Sequence, residues 1–318
     1  MTIREVLWPT DLSECAEAAL AHAVAWTRRH GARLHALHVA VFDARNPSDP
    51  AHHLKDPDTM WADMQGFVDR EVREALARAG ALDLDVRSTS VRGDGAAEAI
   101  LEHAAEADLV VMGTHGRRGF RSLLIGSVTE QVIRESERPV LVVRQRQPAE
   151  PAVPPSRILV PIDFSGAAAP AVRIAREIAE RSRGSLLVLH VIEDVIVPDF
   201  YFPAAPMWLD YPELRETAEA RLRDTFTSAG GPTVPVEYRV MPGRAVLDIP
   251  RFAGEWGADL IVLPTHGLGG VERLLLGSTA DKVLRRASCP VLVLPGRVLA
   301  RESLEAGGRS EAAEGTPP

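Results

Sequence analysis

The chain contains 318 residues, of which 46% are hydrophobic and 25% are charged, so its length and composition predict two globular domains of ordinary size. The formal net charge of −8 and the lack of a long Lys/Arg run argue against a protein that binds nucleic acid. The N-terminus lacks the pattern of a signal peptide, and no apolar run reaches the ~20 residues of a membrane span. The only two cysteines, Cys15 and Cys289, are far apart in the sequence, which predicts a protein without disulfide bonds. Together these features predict a cytoplasmic protein without membrane segments.

The sequence contains an internal repeat at a nearly constant interval. LWPTDLS in the first copy corresponds to LVPIDFS in the second, and LHV recurs after each. ADLVVMGTHG then corresponds to ADLIVLPTHG, and a Gly-Ser pair and the run PVLV follow in both copies. These blocks begin at residues 7, 37, 107, 126 and 139 in the first copy and at 159, 189, 258, 277 and 290 in the second. We therefore predict a first domain at 1–145, a proline-rich linker at 146–156, a second domain at 157–297 and a disordered tail at 298–318.

Each copy alternates short apolar runs with amphipathic stretches, which predicts an α/β fold with a parallel sheet and helices on both faces. The first helix is predicted to follow Ser13 as its N-cap and to end at Gly31. In the second copy Ser165 and Gly184 flank the helix, and Pro170 predicts that it starts a residue or two late. Doubly wound sheets of this kind bind ligands outside the carboxyl ends of their strands. Strands of the first copy are predicted at about 3–8, 33–40, 84–91, 108–112 and 139–143.

The loop after the fourth strand has a glycine spacing that suits an anion. Gly113 and Gly116 would let the backbone approach a ligand without an intervening Cβ atom. Gly126 and Ser127 begin a helix predicted at about 127–136, where unpaired N–H groups and the helix dipole favour a phosphate. The loop matches neither the P-loop nor the Rossmann fingerprint, and simple turn formation is the alternative explanation of its glycines. Three arginines in the loop either contact phosphate or are solvated: Arg117, Arg118 and Arg121.

The spacing G-x2-G-x9-G-[ST] after a strand that opens with ADLVV resembles the ATP-binding signature of the universal stress protein family. The opening and closing strands of both copies are similar to that family too, so the resemblance covers nearly the whole chain apart from linker and tail. It implies two tandem doubly wound domains of the adenine nucleotide alpha hydrolase-like type, each with a five-stranded parallel sheet in strand order 3-2-1-4-5. It also implies that the protein binds ATP together with Mg²⁺.

The resemblance places the nucleotide among ten residues of the first copy. It implies that the Asp11 carboxylate accepts hydrogen bonds from the nucleoside. The alternative is that Asp11 only places a negative charge at the N-terminus of the following helix, where the helix dipole favours it. It implies that Val39 packs near adenine, with a place in the core as the alternative. The other residues would shape the first turn or surround the ribose and phosphates. The full set is Pro9, Thr10, Asp11, Val39, Gly113, Gly116, Arg117, Gly126, Ser127 and Val128.

The second copy departs from the signature. Pro264 replaces its first glycine and removes a backbone N–H, and Glu272 replaces Arg121, although the neighbouring Arg273 offsets that charge. We therefore expect a second site that binds weakly, binds another ligand or binds nothing. Its matching residues are Asp163, Val191, Gly267, Gly277, Ser278 and Thr279.

The resemblance implies an ATP-binding regulatory module of the stress response, read by protein partners that the sequence does not identify. No catalytic or metal-binding constellation is evident. The sequence shows no evident carboxylate partner for His115 or His266, and His52 and His53 are typical of a solvated loop. We therefore predict no enzyme, or at most slow ATP hydrolysis. The alternatives are a ligand-free interaction scaffold and a slow ATPase.

The closing strands at 139–143 and 290–294 are short, apolar and at the sheet edge in this strand order. The resemblance implies that such domains dimerise through this strand, so the two copies would form an internal pseudo-dimer. A homodimer of the whole chain is a further expectation, and protection of the edges by linker and tail is the alternative. The aromatic stretch at 195–211 would cap the pocket, contact a partner or pack on its own domain.

Overall fold

The computed structural model describes residues 1–41, 57–114, 125–144, 155–193, 212–265 and 277–303. The chain forms two compact units, Thr2–Pro154 and Pro155–Pro318. Both units alternate strands with helices, so the predicted tandem α/β fold is confirmed. Within the described ranges, no helix combines the length and the apolar character that a membrane span requires.

The first unit contains a five-stranded parallel sheet in the order β3-β2-β1-β4-β5, as predicted. The observed strands begin and end within two residues of the predicted bounds. Its elements are β1 (Glu5–Pro9), α1 (Glu14–His30), β2 (Arg33–Val41), α2 (Pro57–Arg78), β3 (Val86–Gly93), α3 (Ala96–Ala104), β4 (Leu109–Gly113), α4 (Ser127–Glu135) and β5 (Val140–Val143).

Burial along the strands explains this arrangement. Strand β4 reads LVVMG and every residue of it is buried, as expected for a central parallel strand covered on both faces. Strand β3 reads VRSTSVRG and has no fully buried residue, which suits the edge of the sheet. The apolar content of each run therefore follows its position in the sheet.

Helix α1 begins and ends at the predicted caps. The Ser13 side chain accepts a hydrogen bond from the Ala16 N–H, which satisfies one of the free donors of the first turn. Gly31 adopts a left-handed conformation with φ 61° and ends the helix. Leu20 and Ala23 are fully buried on the face that packs against the sheet. The burial of this face, together with its caps, defines the first βα connection.

The second unit repeats the topology in the order β8-β7-β6-β9-β10. Its elements are β6 (Arg157–Pro161), α5 (Ala168–Ser182), β7 (Ser185–Glu193), α6 (Pro212–Ser228), β8 (Val236–Gly243), α7 (Ala245–Trp256), β9 (Leu260–Pro264), α8 (Ser278–Arg286) and β10 (Val291–Leu294).

Helix α5 starts late, as Pro170 predicted. Its first residue is Ala168, no side chain caps it, and Pro170 lies in the first turn, where a missing N–H costs nothing. The left-handed position at its end is Arg183, with φ 53°. Gly184 follows because a Cβ there would lie 2.5 Å from the Ser156 carbonyl oxygen. Gly184 thus allows a close backbone approach instead of providing the left-handed cap.

The predicted start of the disordered tail, at residue 298, lies too early in the chain. Residues 296–303 are helical, Leu299 is 5% exposed, and Glu302 forms an ion pair with Arg173 of α5. Arg173 is itself only 5% exposed. Sequence composition missed this short helix because the residues that follow it are polar and rich in Gly, Ala and Glu, so the whole segment was assigned to the tail. Residues 304–318 lie outside the described ranges.

Each unit contains one free cysteine, and both are buried. Cys15 lies in the first turn of α1, and Cys289 lies just before β10. Burial raises the pKa of the Cys289 thiol to about 12. The folded second unit therefore keeps this thiol protonated at neutral pH.

Glu302→Ala is expected to destabilise the second unit by about 2–3 kcal/mol, because Arg173 would keep a buried charge without its carboxylate partner. Chemical denaturation would measure the change. The control is Glu219→Ala, which removes an exposed ion pair to Arg215 and should cost at most ~0.5 kcal/mol. Equal losses in the two variants would contradict a structural role for the C-terminal helix.

Candidate nucleotide-binding site

The carboxyl ends of β2, β1 and β4 lie side by side at one edge of the sheet in the first unit. The Thr10 N–H donates to the Leu37 carbonyl at 2.8 Å, which ties the end of β1 to β2. Strand β4 pairs with β1 on the other side, and the Gly126 N–H donates to the Thr114 carbonyl at 2.7 Å. Strand order reverses between β1 and β4, so these ends form the switch point where such sheets bind ligands.

Asp11 forms the turn that leaves β1. Its Oδ1 accepts a hydrogen bond from the Ser13 N–H at 3.1 Å, and the Leu12 N–H donates to the Thr10 hydroxyl. Leu12 has φ 63°, a conformation that is strained for a leucine. Helix α1 is capped by Ser13 and not by Asp11. The sequence offered two roles for Asp11, a ligand contact and a dipole partner, and missed this structural one.

A histidine missed in the sequence analysis fixes the same turn. His38 Nδ1 lies 2.9 Å from the Thr10 carbonyl oxygen, which can only accept, so Nδ1 carries the hydrogen. In the second unit His190 makes the same bond to the Ile162 carbonyl at 2.9 Å. The repeated LHV block was the available signal, but only its valine was assigned a role. Val39 is half-buried and its Cγ1 atom packs toward Gly93 at the end of β3.

Gly113 has a structural reason that the sequence did not reveal. A Cβ atom on Gly113 would lie 2.6 Å from the Cys15 carbonyl oxygen, so helix α1 passes directly over it. The missing side chain thus makes room for the helix, a reason that comes in addition to the predicted room for a ligand. The contribution of Gly113 to ligand binding stays a prediction.

The N-terminus of α4 is fastened to the end of β4 by two hydrogen bonds. Besides the bond from Gly126 N–H, the Thr129 hydroxyl donates to the Gly113 carbonyl at 2.9 Å. The prediction of an unpaired N–H at Gly126 was therefore wrong, whereas its position as N-cap is as predicted. Among the described residues, no side chain caps this helix. In the described part of the chain, the third N–H of α4, from Thr129, thus lacks the side-chain acceptor that Ser13 gives Ala16 in α1. The two N–H groups before it, from Ser127 and Val128, have no acceptor within the helix.

The second unit keeps part of this geometry and loses part of it. The Gly277 N–H donates to the Thr265 carbonyl at 2.9 Å, as in the first unit. Pro264 ends β9, and Ala280 stands where Thr129 ties α4 to β4, so that hydroxyl bond is absent. The Asx turn persists, since the Ser165 N–H donates to Asp163 Oδ1 at 3.0 Å.

The residue after Asp163 also differs between the two units. Phe164, with φ 59°, has its ring 4.3 Å from the His190 ring, and the Arg221 guanidinium lies 4.1 Å from the Phe164 ring centre. Leu12 at the corresponding position of the first unit has no ring with which to stack. Val191, the counterpart of Val39, is 8% exposed and belongs to the core.

Several predicted residues lie outside the described ranges. They are His52, His53, His115, Gly116, Arg117, Arg118, Arg121, His266, Gly267, Glu272, Arg273 and the aromatic stretch at 195–211. The other predicted residues of the first copy lie at or just after the carboxyl ends of neighbouring strands, or at the start of α4. They are Pro9, Thr10, Asp11, Val39, Gly113, Gly126, Ser127 and Val128. The same part of the chain contains no group of three His, Cys, Asp or Glu side chains that could hold a metal ion.

The model of the universal stress protein family matches residues 2–144 and 155–295, which together make up most of the chain. The chain belongs to the universal stress protein family. Its first copy carries the complete glycine signature of the predicted resemblance and its second copy the altered one. The recognition made from the sequence is therefore confirmed for both copies.

Curated relatives support the same membership. A universal stress protein of Mycobacterium tuberculosis is 31% identical over 196 residues, which cover 61% of this chain and 64% of the relative. The chain thus spans just under two thirds of that relative's length. Another, from Mycolicibacterium smegmatis, is 30% identical over 213 residues and covers 66% of this chain and 69% of the relative.

Solved structures agree with the fold. A universal stress protein from Archaeoglobus fulgidus superposes with a TM-score of 0.62 at 23% identity, covering 91% of this chain and 95% of the other. A functionally unknown protein from Pseudomonas aeruginosa gives a TM-score of 0.59 at 21% identity and covers 96% and 98%. At these identities the likeness establishes the tandem fold.

Gly113→Ala is expected to destabilise the first unit by about 1–3 kcal/mol, because the new methyl group would overlap the Cys15 carbonyl. Thermal or chemical denaturation would measure it. Gly66→Ala is the matched control, since Gly66 lies inside α2 and the position that its new methyl group would take has no atom within 4 Å. This control variant should gain up to ~1 kcal/mol. A Gly113→Ala protein as stable as the control would show that α1 moves away freely.

Proposed function

We propose that the first domain binds ATP with Mg²⁺, and that the protein acts as a nucleotide-dependent regulatory module of the stress response. Family membership and the full glycine signature of the first copy support the proposal. The observation that carries it is that Asp11, Val39 and the N-terminus of α4 lie at the carboxyl ends of the adjacent strands β1, β2 and β4, the edge that contains the switch point of the sheet. The same proposal places the protein in the cytoplasm and assigns it binding instead of catalysis.

Asp11 is suited to the nucleoside. A carboxylate accepts several hydrogen bonds at once, so the bond from the Ser13 N–H is compatible with a further bond from a ribose hydroxyl or an adenine amino group. The bond from His38 to the Thr10 carbonyl and the bond from the Thr10 N–H to β2 hold the turn in place. The carboxylate would therefore be positioned before the ligand arrives, which reduces the entropy cost of binding.

The start of α4 is suited to the phosphates. The N–H groups of Ser127 and Val128 point out of a helix that no described side chain caps, and the helix dipole adds a partial positive charge. The Gly126 N–H is used by Thr114, so its contribution is structural. Mg²⁺ is commonly held by nucleotide phosphates and water, which agrees with the lack of a three-ligand metal group among the described residues. When bound, the ion would neutralise phosphate charge.

We further propose that the second domain binds nucleotide more weakly or not at all. Pro264 removes a backbone donor, and Ala280 removes the hydroxyl that would fasten α8 to β9. The tilted contact between the Phe164 and His190 rings stiffens a turn that in the first unit carries a leucine. A domain of this kind would serve as a scaffold beside a nucleotide-binding domain.

Purified protein is expected to release about one ATP per chain on denaturation, as identified by chromatography. Gly126→Trp should abolish this, because an indole would fill the space before α4, whereas the matched variant Gly277→Trp in the second unit should release as much as wild type. Two nucleotides per chain would refute the weaker second site. Lack of released nucleotide, together with lack of ATP binding by calorimetry at millimolar concentration, would refute the proposed function and favour the scaffold.

Asp11→Asn is expected to weaken ATP binding about ten- to a hundredfold, the loss typical of a charged hydrogen-bond partner. Asparagine keeps the oxygen that accepts from the Ser13 N–H, so the turn should survive. Isothermal titration calorimetry with MgATP would measure the affinity. Asp163→Asn makes the same change in the second unit and should leave the measured affinity unaltered. Unchanged affinity in Asp11→Asn would limit Asp11 to its structural role.

A further inference from the structure

A buried polar cluster lies at the opposite, amino-terminal end of the sheet in the first unit. Its centre is His35, the third residue of β2, which is 0% exposed. Glu5 of β1, Thr89 of β3 and His103 of α3 surround it, and we call these four residues the His35 cluster. None of them belongs to the proposed nucleotide site.

Of the two ring nitrogens of His35, one has a hydrogen-bond partner among the described residues and the other has none. Its Nε2 atom lies 3.0 Å from the Thr89 hydroxyl, whereas its Nδ1 atom lies 3.5 Å from Glu5 Oε1. Among the described residues, neither Nδ1 nor that carboxylate oxygen has a hydrogen-bond partner, and both atoms are buried. The folded state therefore holds a ring nitrogen and a carboxylate oxygen in a buried environment where a change of charge on His35 is costly.

Further charges surround the ring. The His103 ring centre lies 5.7 Å away, and His103 Nδ1 donates to the Ala99 carbonyl. Arg87 of β3 is the register partner of His35 and lies 3.7 Å from Glu106. A proton on His35 would thus be added beside one guanidinium and a second imidazole, with Glu5 and Glu106 as the opposing carboxylates.

Burial, with Arg87 and His103 as further causes, lowers the pKa of His35 from 6.5 to about 4. In the unfolded chain the same ring titrates at its ordinary value. Between these two pKa values the unfolded state binds more protons than the folded state, so stability is full above about pH 6.5 and falls as the pH drops toward 4.

The second unit lacks the cluster. By strand register, Leu187 takes the place of His35, Arg157 that of Glu5 and Arg239 that of Thr89. Leu187 is 2% exposed and has nothing to titrate. The two copies therefore share a fold, but a buried histidine occupies this position in the first copy and a buried leucine in the second.

We propose that the His35 cluster is a pH switch. In mild acid, β2, β3 and α3 of the first unit, which we call the β2–β3–α3 layer, would unfold locally more often, whereas the second unit would not change. The switch acts through the sheet and does not depend on a bound nucleotide. Because β2 also carries Val39 at its other end, opening of this layer would reach the face where the strands converge. Acidification would thereby be a signal that only one of the two domains detects.

Hydrogen-exchange mass spectrometry on the full chain at pH 7.5 and 5.0, corrected for intrinsic exchange, tests the proposal. The pKa values of 6.5 and about 4 predict a roughly thirtyfold increase in the opening equilibrium of β2, β3 and α3 at pH 5.0. Peptides of β7, β8 and α7 should change less than about threefold. Equal changes in the two units, or an unchanged first unit, would overturn the proposal.

His35→Leu, which installs the residue of the second unit, should abolish the pH dependence in β2, β3 and α3. His30→Gln, a change at the end of α1 outside the cluster, should retain it. His22 of α1 also has a pKa lowered to about 4 by burial, so α1 peptides are compared separately with a His22→Gln variant. Persistence of the response in His35→Leu would overturn the proposal.

A direct titration covers the case in which His35→Leu does not fold. Nuclear magnetic resonance of the histidine rings in the wild-type protein, assigned with His35→Gln, measures the pKa of His35. A pKa below about 5 that accompanies opening of the layer supports the switch. A pKa near 6.5 in the folded protein would overturn it, because folded and unfolded states would then bind protons alike.

Discussion

The turn that leaves β1 is the constraint on which the site depends. Four hydrogen bonds fix it: Thr10 N–H to the Leu37 carbonyl of β2, His38 to the Thr10 carbonyl, Leu12 N–H to the Thr10 hydroxyl and Ser13 N–H to Asp11. Together they hold Leu12 in a left-handed conformation that a leucine adopts only under such restraint. The direction of α1 follows from this turn, and the passage of α1 over Gly113 then determines which residue the end of β4 can carry.

The two copies show which parts of this arrangement the fold requires. The second unit retains the Asx turn of Asp163, the bond from His190 and the tie from Gly277 N–H, so these belong to the architecture. It replaces the first glycine with Pro264 and starts α5 two positions later relative to the repeat. In the first unit, Gly113 at the end of β4 makes room for the start of α1. A later start of the corresponding helix α5 is therefore consistent with a proline in place of that glycine at the end of β9. The copies therefore diverge in structure at this end of the sheet.

Much of the fold could be predicted from the sequence, because apolar runs, caps and an internal repeat are local signals. Ser13 and Gly31 marked the ends of α1 correctly, and the resemblance supplied the strand order. The reason for Gly113 could not be predicted, since it depends on a carbonyl nearly a hundred residues away in the chain. The short C-terminal helix was missed because its anchor, the pair of Arg173 with Glu302, is a contact between distant segments.

The buried thiols described above give each unit its own reporter. A thiol must be both accessible and deprotonated to react, and neither condition holds for Cys289 while the second unit is folded. Cys15 is likewise buried, in the first turn of α1. With one cysteine per unit, the native chain already contains a separate thiol that becomes reactive when its own unit unfolds. Alkylation rates at the two positions would therefore time the unfolding of each domain without any engineered label.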